Sequence, residues 1–240
     1  MAKIFVTGST TGLGFLIAKD LIAKGNEVIL HARNDAKKTK VEKELPKAKA
    51  VVVGDLSSIS EVKSIADQVN KLGTMDAIIQ NAGVYNNDSK MTFDVNVLAP
   101  YLLTALINKP KRMVYTSSGM HQGSSLNLDD LENETSYSSS KLQVILLMKQ
   151  VAKKWPDVAV NSVDPGWVPT RMGGKFANDD LTMGYTTQIE LATAEKYQKT
   201  TGHDFHHLRI ASYDKRIDDE KIQTEFIEKL VEMTGIKIPD

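Results

Sequence analysis

The chain has 240 residues and carries 30 basic and 30 acidic side chains, so its formal net charge is zero. A neutral chain lacks the positive surface field that draws nucleic acids and anionic membranes, and we expect neither as a partner. There are no cysteines, which excludes disulfides, thiolate catalysis and thiolate metal sites. Hydrophobic residues make up 41% of the chain. This length and composition suit one folded domain spanning residues 1–240.

Signals for secretion or membrane insertion are not found. Met1 is followed almost at once by the strand-like run Ile4–Thr7, without the long apolar segment of a signal peptide. The longest unbroken apolar run, Val144–Met148, is far too short to span a bilayer. We therefore expect a soluble cytoplasmic protein.

Short apolar runs alternate with longer amphipathic stretches along the first two thirds of the chain. Strands are predicted from the runs that begin at Lys3, Glu27, Ala50, Met75, Arg112 and Val158. Helices are predicted over Gly14–Lys24, Asp35–Leu45, Ser60–Lys71, Met91–Ile107 and Ser138–Trp155. The strands are apolar almost throughout, which suits burial on both faces. The alternation predicts an α/β fold: a single Rossmann-type, doubly wound parallel sheet with helices on both faces.

The pattern changes after the sixth strand. A substrate loop is predicted over about 165–196, with an irregular part from Pro165 to Gly184 and a helix from about Tyr185 to Lys196. An edge strand near Phe205–Ile210 and a helix over Asp219–Thr234 follow. The irregular part is expected to bury its large apolar side chains, either on the core or as a lid over the active site. These side chains are Trp167, Met172, Phe176, Leu181, Met183 and Tyr185.

A glycine-rich turn joins the first strand to the first helix. Its residues are Gly8, Ser9, Thr10, Thr11, Gly12, Leu13 and Gly14. Glycine allows positive φ and close approach of a ligand, while the N-terminus of the helix offers free N–H groups and a positive dipole end. These properties indicate a pyrophosphate site, although a glycine turn alone could also be only a tight connection. No Gly-Lys-Ser/Thr sequence occurs, so a P-loop triphosphatase is not supported.

The spacing TGxxxGxG and an ordered series of later motifs resemble the short-chain dehydrogenase/reductase family. The later motifs are Asp55 after the third strand, Asn81-Ala82-Gly83 after the fourth, Asn96, Ser118, the YxxxK pair Tyr137 and Lys141, and Pro165-Gly166. The segments SSGMH and PGWVPTRMGG are similar to the branch that contains retinol dehydrogenases and carbonyl reductases. The resemblance implies an oxidoreductase that moves a hydride between a nicotinamide and a small carbonyl or alcohol substrate.

The resemblance implies four catalytic residues: Asn96, Ser118, Tyr137 and Lys141. Tyr137 and Lys141 are four residues apart on a predicted helix and so share one face. The ammonium and the oxidised nicotinamide are expected to lower the pKa of the Tyr137 phenol, which then acts as general acid or base. Ser118 is expected to donate a hydrogen bond to the reacting oxygen, and Asn96 to order a water. An isolated YxxxK could also be a solvated helix surface.

Further cofactor contacts are implied by the same resemblance. They are Asp55 and Leu56 near the adenine, Asn81, Ala82 and Gly83 beside the adenosine ribose, Tyr137 and Lys141, with Lys141 on the ribose hydroxyls, and Pro165, Gly166, Val168 and Thr170 after the sixth strand.

The end of the second strand indicates which nicotinamide is bound. NAD-binding sites place a carboxylate there on the ribose 2′-hydroxyl, whereas this chain has Ala32 followed by Arg33. A guanidinium can bind a 2′-phosphate. Asn34 and Asp35 are expected to cap the second helix. NADP(H) is therefore predicted as the preferred cofactor, with NAD(H) possible, although Arg33 could be an ordinary surface cation.

Other readings remain open. His203, His206 and His207 have no companion cysteine and only scattered carboxylates nearby. They are expected to be exposed imidazoles of an edge strand, so no metal site is predicted.

The apolar loop favours an uncharged, mainly apolar substrate. The alternative function is a catalytically silent nucleotide-sensing or scaffold protein of the same fold; a sugar-nucleotide epimerase fits less well. The resemblance implies a possible homodimer or homotetramer through the helices at Met91–Ile107 and Ser138–Trp155.

Overall fold

The centre of the protein is one eight-stranded sheet, seen in a computed structural model that describes residues 1–240. The strands are β1 (Lys3–Val6), β2 (Glu27–Ala32), β3 (Ala50–Val53), β4 (Ala77–Gln80), β5 (Arg112–Thr116), β6 (Ala159–Asp164), β7 (Asp204–His206) and β8 (Arg209–Ile210). Their order is β3-β2-β1-β4-β5-β6-β7-β8, and every neighbouring pair is parallel except the last. This confirms the predicted doubly wound Rossmann-type sheet.

Nine helices flank the sheet. They are α1 (Gly12–Ala23), α2 (Asp35–Glu44), α3 (Ile59–Lys71), α4 (Ser89–Phe93), α5 (Ala99–Leu106), α6 (Leu131–Glu134), α7 (Tyr137–Lys154), α8 (Leu181–Thr193) and α9 (Glu220–Thr234). The sheet separates two hydrophobic clusters, and adjacent strand residues enter opposite ones: Phe5 joins one cluster, whereas Ile4 and Val6 join the other. Burial on both faces explains why the strands are apolar almost throughout.

Three predicted boundaries were wrong. The helix predicted over Met91–Ile107 is interrupted by a π-helical turn at Asp94–Leu98. The helix predicted from Tyr185 begins at Leu181, because the Asp180 side chain accepts the backbone N–H of Met183 at 3.0 Å and caps it. The single edge strand is a two-stranded hairpin, β7 and β8, that turns through two residues with positive φ, His207 and Leu208.

The C-terminal part of the chain covers the outer side of α5 and α7. Helix α9 packs on α7, and the hydroxyl of Tyr101 on α5 donates to the carbonyl of Ile236 at 2.5 Å. The indole N–H of Trp155, just after α7, donates to the carbonyl of Pro239 at 2.8 Å. The chain itself thus covers part of the surface of the two helices that the family resemblance implied for subunit contacts. None of the helices has the length and apolar character needed to cross a bilayer.

Candidate active site

A cavity of about 950 Å³ lies at the carboxyl ends of the parallel strands. It includes the point between β1 and β4 where the strand order reverses, which is where open α/β sheets bind ligands. All predicted site residues line it except Ser9, Gly14 and Asn96. The predicted residues that do so are Gly8, Thr10, Thr11, Gly12, Leu13, Arg33, Asp55, Leu56, Asn81, Ala82, Gly83, Ser118, Tyr137, Lys141, Pro165, Gly166, Val168 and Thr170.

The glycine turn leaves space for a ligand at the N-terminus of α1. Gly8 and Gly12 have φ of +64° and +58°, and no atom lies within 4 Å of a Cβ built on Gly12. Thr11 precedes α1 without a capping hydrogen bond from its side chain. By contrast, a side chain caps each of the other helices that start from a loop. The open backbone and the uncapped N-terminus fit a pyrophosphate.

Two residues of the turn act on its shape. A Cβ on Gly14 would lie 2.5 Å from the Gly8 carbonyl oxygen, so only glycine allows this close packing. Ser9 is buried, and its hydroxyl accepts the backbone N–H of His31 at 2.8 Å. Neither residue lines the cavity; both support the shape of the turn, and their contact with a cofactor stays a prediction.

Sequence reasoning missed His31, which lies beneath the turn. Gly8 N–H donates to His31 Nδ1 at 3.0 Å, so the other nitrogen, Nε2, carries the proton and donates to the Gly54 carbonyl at 2.9 Å. Burial lowers the pKa of His31, which keeps the imidazole neutral. The only signal in the sequence is a polar residue in an otherwise apolar strand.

Arg33 and Asp55 lie at the ends of β2 and β3. Arg33 is exposed on the cavity wall and forms no ion pair, while Asn34 caps α2 by accepting the backbone N–H of Lys37 at 3.0 Å. The Asp55 carboxylate accepts the backbone N–H of Ser57 at 3.0 Å and so shapes the turn after β3. Arg33 is therefore free to meet a ligand.

Tyr137 and Lys141 are positioned by the first turns of α7. Ser136 and Ser139 form a capping box that starts the helix one residue before the position predicted. Lys141 is 3% exposed, and its ammonium donates to the Thr116 carbonyl at 2.7 Å and lies 5.5 Å from the centre of the Tyr137 ring. Burial lowers the pKa of Lys141 to about 8, and the Asp164 carboxylate partly opposes this change.

The Tyr137 pKa was expected to be lowered by Lys141 together with the oxidised nicotinamide, and the protein without the cofactor shifts this pKa in the opposite direction. Burial raises the pKa of the Tyr137 phenol, the neighbouring Ser118 hydroxyl acts in the opposite direction, and Asp164 raises it further. Burial of the phenol disfavours the charged phenolate, and this effect exceeds the stabilisation that the Ser118 hydrogen bond gives to the phenolate. Tyr137 is therefore held in its protonated form.

The two serines at the end of β5 have different partners. The hydroxyl of Ser117 donates to the buried Asp204 carboxylate at 2.7 Å, and Ser162 donates to the same oxygen at 2.6 Å. Ser118 accepts the backbone N–H of Met120 at 3.3 Å, and its hydroxyl lies beside the Tyr137 phenol in the cavity. This geometry favours Ser118 over Ser117 as the hydrogen-bond donor in the cavity.

The Asn96 side chain is fully used within the protein. Its oxygen accepts the backbone N–H of Val84 at 2.8 Å, and its amide donates to the Val84 carbonyl and the Ser140 hydroxyl, both at 3.0 Å. It is buried in the π-helical turn and does not line the cavity. The Asn96 side chain therefore anchors the chain just after Gly83, and the ordering of a water by this residue stays a prediction.

The histidines near β7 form no metal site, since no cluster of three metal-binding side chains exists. The rings of His206 and His207 stack at 3.9 Å. The expectation that these imidazoles are exposed is wrong, since His203, His206 and His207 are all half-buried, and Nε2 of His207 is buried without a hydrogen-bond partner.

The cavity mouth carries exposed apolar side chains, contrary to the expectation that the loop after Gly166 buries them. Trp167, Met172 and Phe176 are 53%, 51% and 74% exposed, and the first two line the cavity. Tyr85 and Met120 line it too and are 61% and 50% exposed. Only the later residues Leu181, Met183 and Tyr185 are partly buried, in or near α8.

Comparison with known proteins agrees with this geometry. The family described as short chain dehydrogenase matches residues 2–181. Over the full length of both chains, the protein is 35% identical to the short-chain dehydrogenase chyC of Penicillium rubens. The chain belongs to the short-chain dehydrogenase family, and it is an oxidoreductase of that family.

Two solved structures share the fold. An uncharacterised protein from Mycobacterium paratuberculosis matches with a TM-score of 0.83 and 22% identity, over 100% of this chain and 96% of that one. The NADPH-bound carbonyl reductase from chicken fatty liver matches with a TM-score of 0.74 and 18% identity, over 89% of this chain and 99% of that one.

Proposed function

We propose that the protein transfers a hydride between NADP(H) and an uncharged, mainly apolar carbonyl or alcohol substrate, with residues 1–240 acting as one catalytic domain. One observation carries the proposal: Ser118, Tyr137 and Lys141 meet in the cavity that also contains the glycine turn and the unpaired Arg33. The NADPH named in the carbonyl reductase neighbour supports the choice of cofactor.

The cofactor would be held at both ends of the cavity. The free N–H groups at the start of α1 receive the pyrophosphate, and Arg33 binds the 2′-phosphate by charge-assisted hydrogen bonds. Asp55 and Leu56 line the adenine end, and Lys141 binds the ribose hydroxyls near the reacting centre. NAD(H) would lack the contact to Arg33.

In the reducing direction, Tyr137 donates its phenolic proton to the carbonyl oxygen, while Ser118 donates a hydrogen bond to the same oxygen. When bound, the reduced nicotinamide supplies the hydride. The raised pKa of Tyr137 supports this role, because the phenol stays protonated at neutral pH. The buried ammonium of Lys141 stabilises negative charge that develops on the Tyr137 oxygen.

The proposal is tested by incubating the protein with a panel of aldehydes, ketones and alcohols and with each nicotinamide cofactor, following the nicotinamide absorbance. NADPH-dependent reduction of uncharged carbonyls is expected. A protein that binds NADPH tightly but turns over none of the panel would instead be the catalytically silent member of the fold. A preference for anionic, phosphorylated substrates would contradict the proposed substrate class.

We further propose that the protein is a monomer, in place of the homodimer or homotetramer that the family resemblance implied. The support is the cover that α9 and the residues after it place over α5 and α7. Light scattering coupled to size-exclusion chromatography tests this. The cytoplasmic location expected from the sequence stays a prediction.

A further inference from the structure

A second tyrosine lies against the reactive one. The ring of Tyr85 meets the ring of Tyr137 edge to face, with centroids 4.8 Å apart and planes at 69°. Its backbone is held in place because Asn96 binds both the N–H and the carbonyl of the preceding Val84. Tyr85 is nevertheless 61% exposed, and it lines the cavity.

Three other apolar side chains line the cavity around Tyr85. We define the apolar rim as Tyr85 together with Met120, Trp167 and Met172. The Trp167 indole N–H donates to the Gly173 carbonyl at 2.9 Å. The polar edge of the indole is thereby satisfied within the loop, and the surface left open is apolar. The rim therefore presents two aromatic rings and two thioethers to whatever occupies the cavity beside Tyr137.

Exposure of these groups is unusual for this protein. The chain has nine exposed large hydrophobic side chains, and the four of the apolar rim lie on this one cavity. Clustered apolar exposure marks a binding surface. Aromatic rings pair with other rings in edge-to-face or offset stacks, and methionine sulfur also favours ring edges, so this surface suits a flat aromatic group better than a saturated one.

We propose that the substrate is an aryl aldehyde or aryl ketone, and that Tyr85 determines this specificity by packing against the substrate ring. The inference rests on the proposed function and names its substrate class. In the reducing direction the carbonyl carbon gains a hydride from the reduced nicotinamide, and the carbonyl oxygen gains the Tyr137 proton. The products are the aryl alcohol and the oxidised cofactor.

The kinetic test compares benzaldehyde with cyclohexanecarbaldehyde, which is similar in size but saturated. The ratio of their kcat/KM values is measured for the parent and for variants, so that the intrinsic reactivity of each aldehyde cancels between proteins. Tyr85→Leu is expected to lower the ratio by about twofold to tenfold, the scale of a lost aromatic pair, whereas Tyr85→Phe keeps it. Phe176→Leu is the matched control, since Phe176 is exposed but lies outside the cavity, and it leaves the ratio unchanged.

A binding test separates this inference from the proposed function. Calorimetry with the NADPH-loaded protein compares benzyl alcohol with cyclohexylmethanol, and needs no turnover. Tighter binding of benzyl alcohol that is lost in Tyr85→Leu supports the aryl site even if no carbonyl is reduced. Equal binding of both alcohols, or a kinetic ratio that Tyr85→Leu leaves unchanged, overturns the inference while leaving carbonyl reduction intact.

Discussion

His206 contacts Asp164 at the wall of the active-site cavity, with its Nδ1 3.2 Å from the Asp164 backbone carbonyl oxygen and 3.2 Å from the carboxylate oxygen Oδ2. The other carboxylate oxygen accepts the backbone N–H of Gly166 at 2.9 Å. Asp164 is fixed from two sides, and it raises the pKa of both Tyr137 and Lys141. One carboxylate therefore helps to keep both reactive side chains protonated.

Replacing this carboxylate should change the pH dependence of the enzyme. In Asp164→Asn, the pKa values of Tyr137 and Lys141 both fall, so both groups lose their protons at lower pH. We expect the decline of carbonyl reduction at alkaline pH to move to lower pH than in the parent, as measured by kcat/KM from pH 6 to pH 10. In His206→Gln the carboxylate remains, and a smaller change is expected. An unchanged profile in Asp164→Asn would show that the carboxylate does not act on the reacting groups.

Tyr137→Phe removes the proton donor and leaves the ring. Turnover should fall by roughly two orders of magnitude or more, the contribution of a positioned general acid. The affinity for NADPH, measured by fluorescence titration, should be retained, because the glycine turn, Arg33 and Lys141 are untouched. Tyr213→Phe, outside the cavity, serves as the control. Near-normal turnover in Tyr137→Phe is incompatible with its role as general acid.

The cofactor preference should depend on Arg33. Arg33→Ala is expected to weaken NADPH binding by about 1–3 kcal/mol, the scale of a hydrogen bond to a charged group, with little effect on NADH. Adding Ala32→Asp should move the preference toward NADH by repelling the 2′-phosphate. Arg209→Ala, another exposed arginine away from the cavity, is the matched control. An equal loss for both cofactors in Arg33→Ala would indicate a general structural effect instead.

The buried ammonium of Lys141 should lower the free energy of unfolding, although the side chain is needed for turnover. Its pKa falls from 10.5 to about 8 on folding, which amounts to a cost of about 3 kcal/mol for the buried ammonium at neutral pH. Lys141→Met should therefore raise the free energy of unfolding by up to about 3 kcal/mol below pH 8 and abolish turnover. Between pH 8 and pH 10.5 the unfolded chain binds more protons, so the parent gains stability as pH rises and the difference disappears.

Urea unfolding at pH 7 and pH 10.5 measures this effect, with Lys19→Met as the control at an exposed, unpaired lysine. A Lys141→Met variant that is less stable than the parent at pH 7 would mean that the bond to the Thr116 carbonyl outweighs the cost of burial.

The sheet was predictable because its signal is local. Apolar runs such as Glu27–Ala32 are buried on both faces, and the helices between them were bounded to within a few residues, except where a feature has no local signature. The π-helical turn at Asp94–Leu98 is such a feature, since it depends on the contacts of Asn96 with Val84 and Ser140. The start of α8 was a different case, because Asp180 was an available capping signal but lies in a segment without a clear apolar period.

Site residues could be predicted where they belong to sequence motifs, but not where residues that are distant in the sequence come into contact. The residues that the motifs indicated, Tyr137, Lys141 and Ser118, all line the cavity. Nothing in the local sequence indicates that His206 contacts Asp164. The two residues are 42 positions apart, and the pairing of β6 with β7 brings them together. The direction of the Tyr137 pKa likewise depends on enclosure by the whole fold, which spacing cannot reveal.

The contact between Gly8 and His31 makes the shape of the glycine turn depend on an uncharged imidazole, since a protonated ring has no lone pair left to accept the Gly8 N–H. The pKa of His31 is lowered by burial, so its imidazole takes a proton only at a pH below the usual histidine range. Acidification to that range should then release a tightly held nucleotide, and a return to neutral pH should restore its site. Dialysis at acidic pH offers a mild route to cofactor-free protein, with recovery of NADPH affinity at neutral pH as the check on its reversibility.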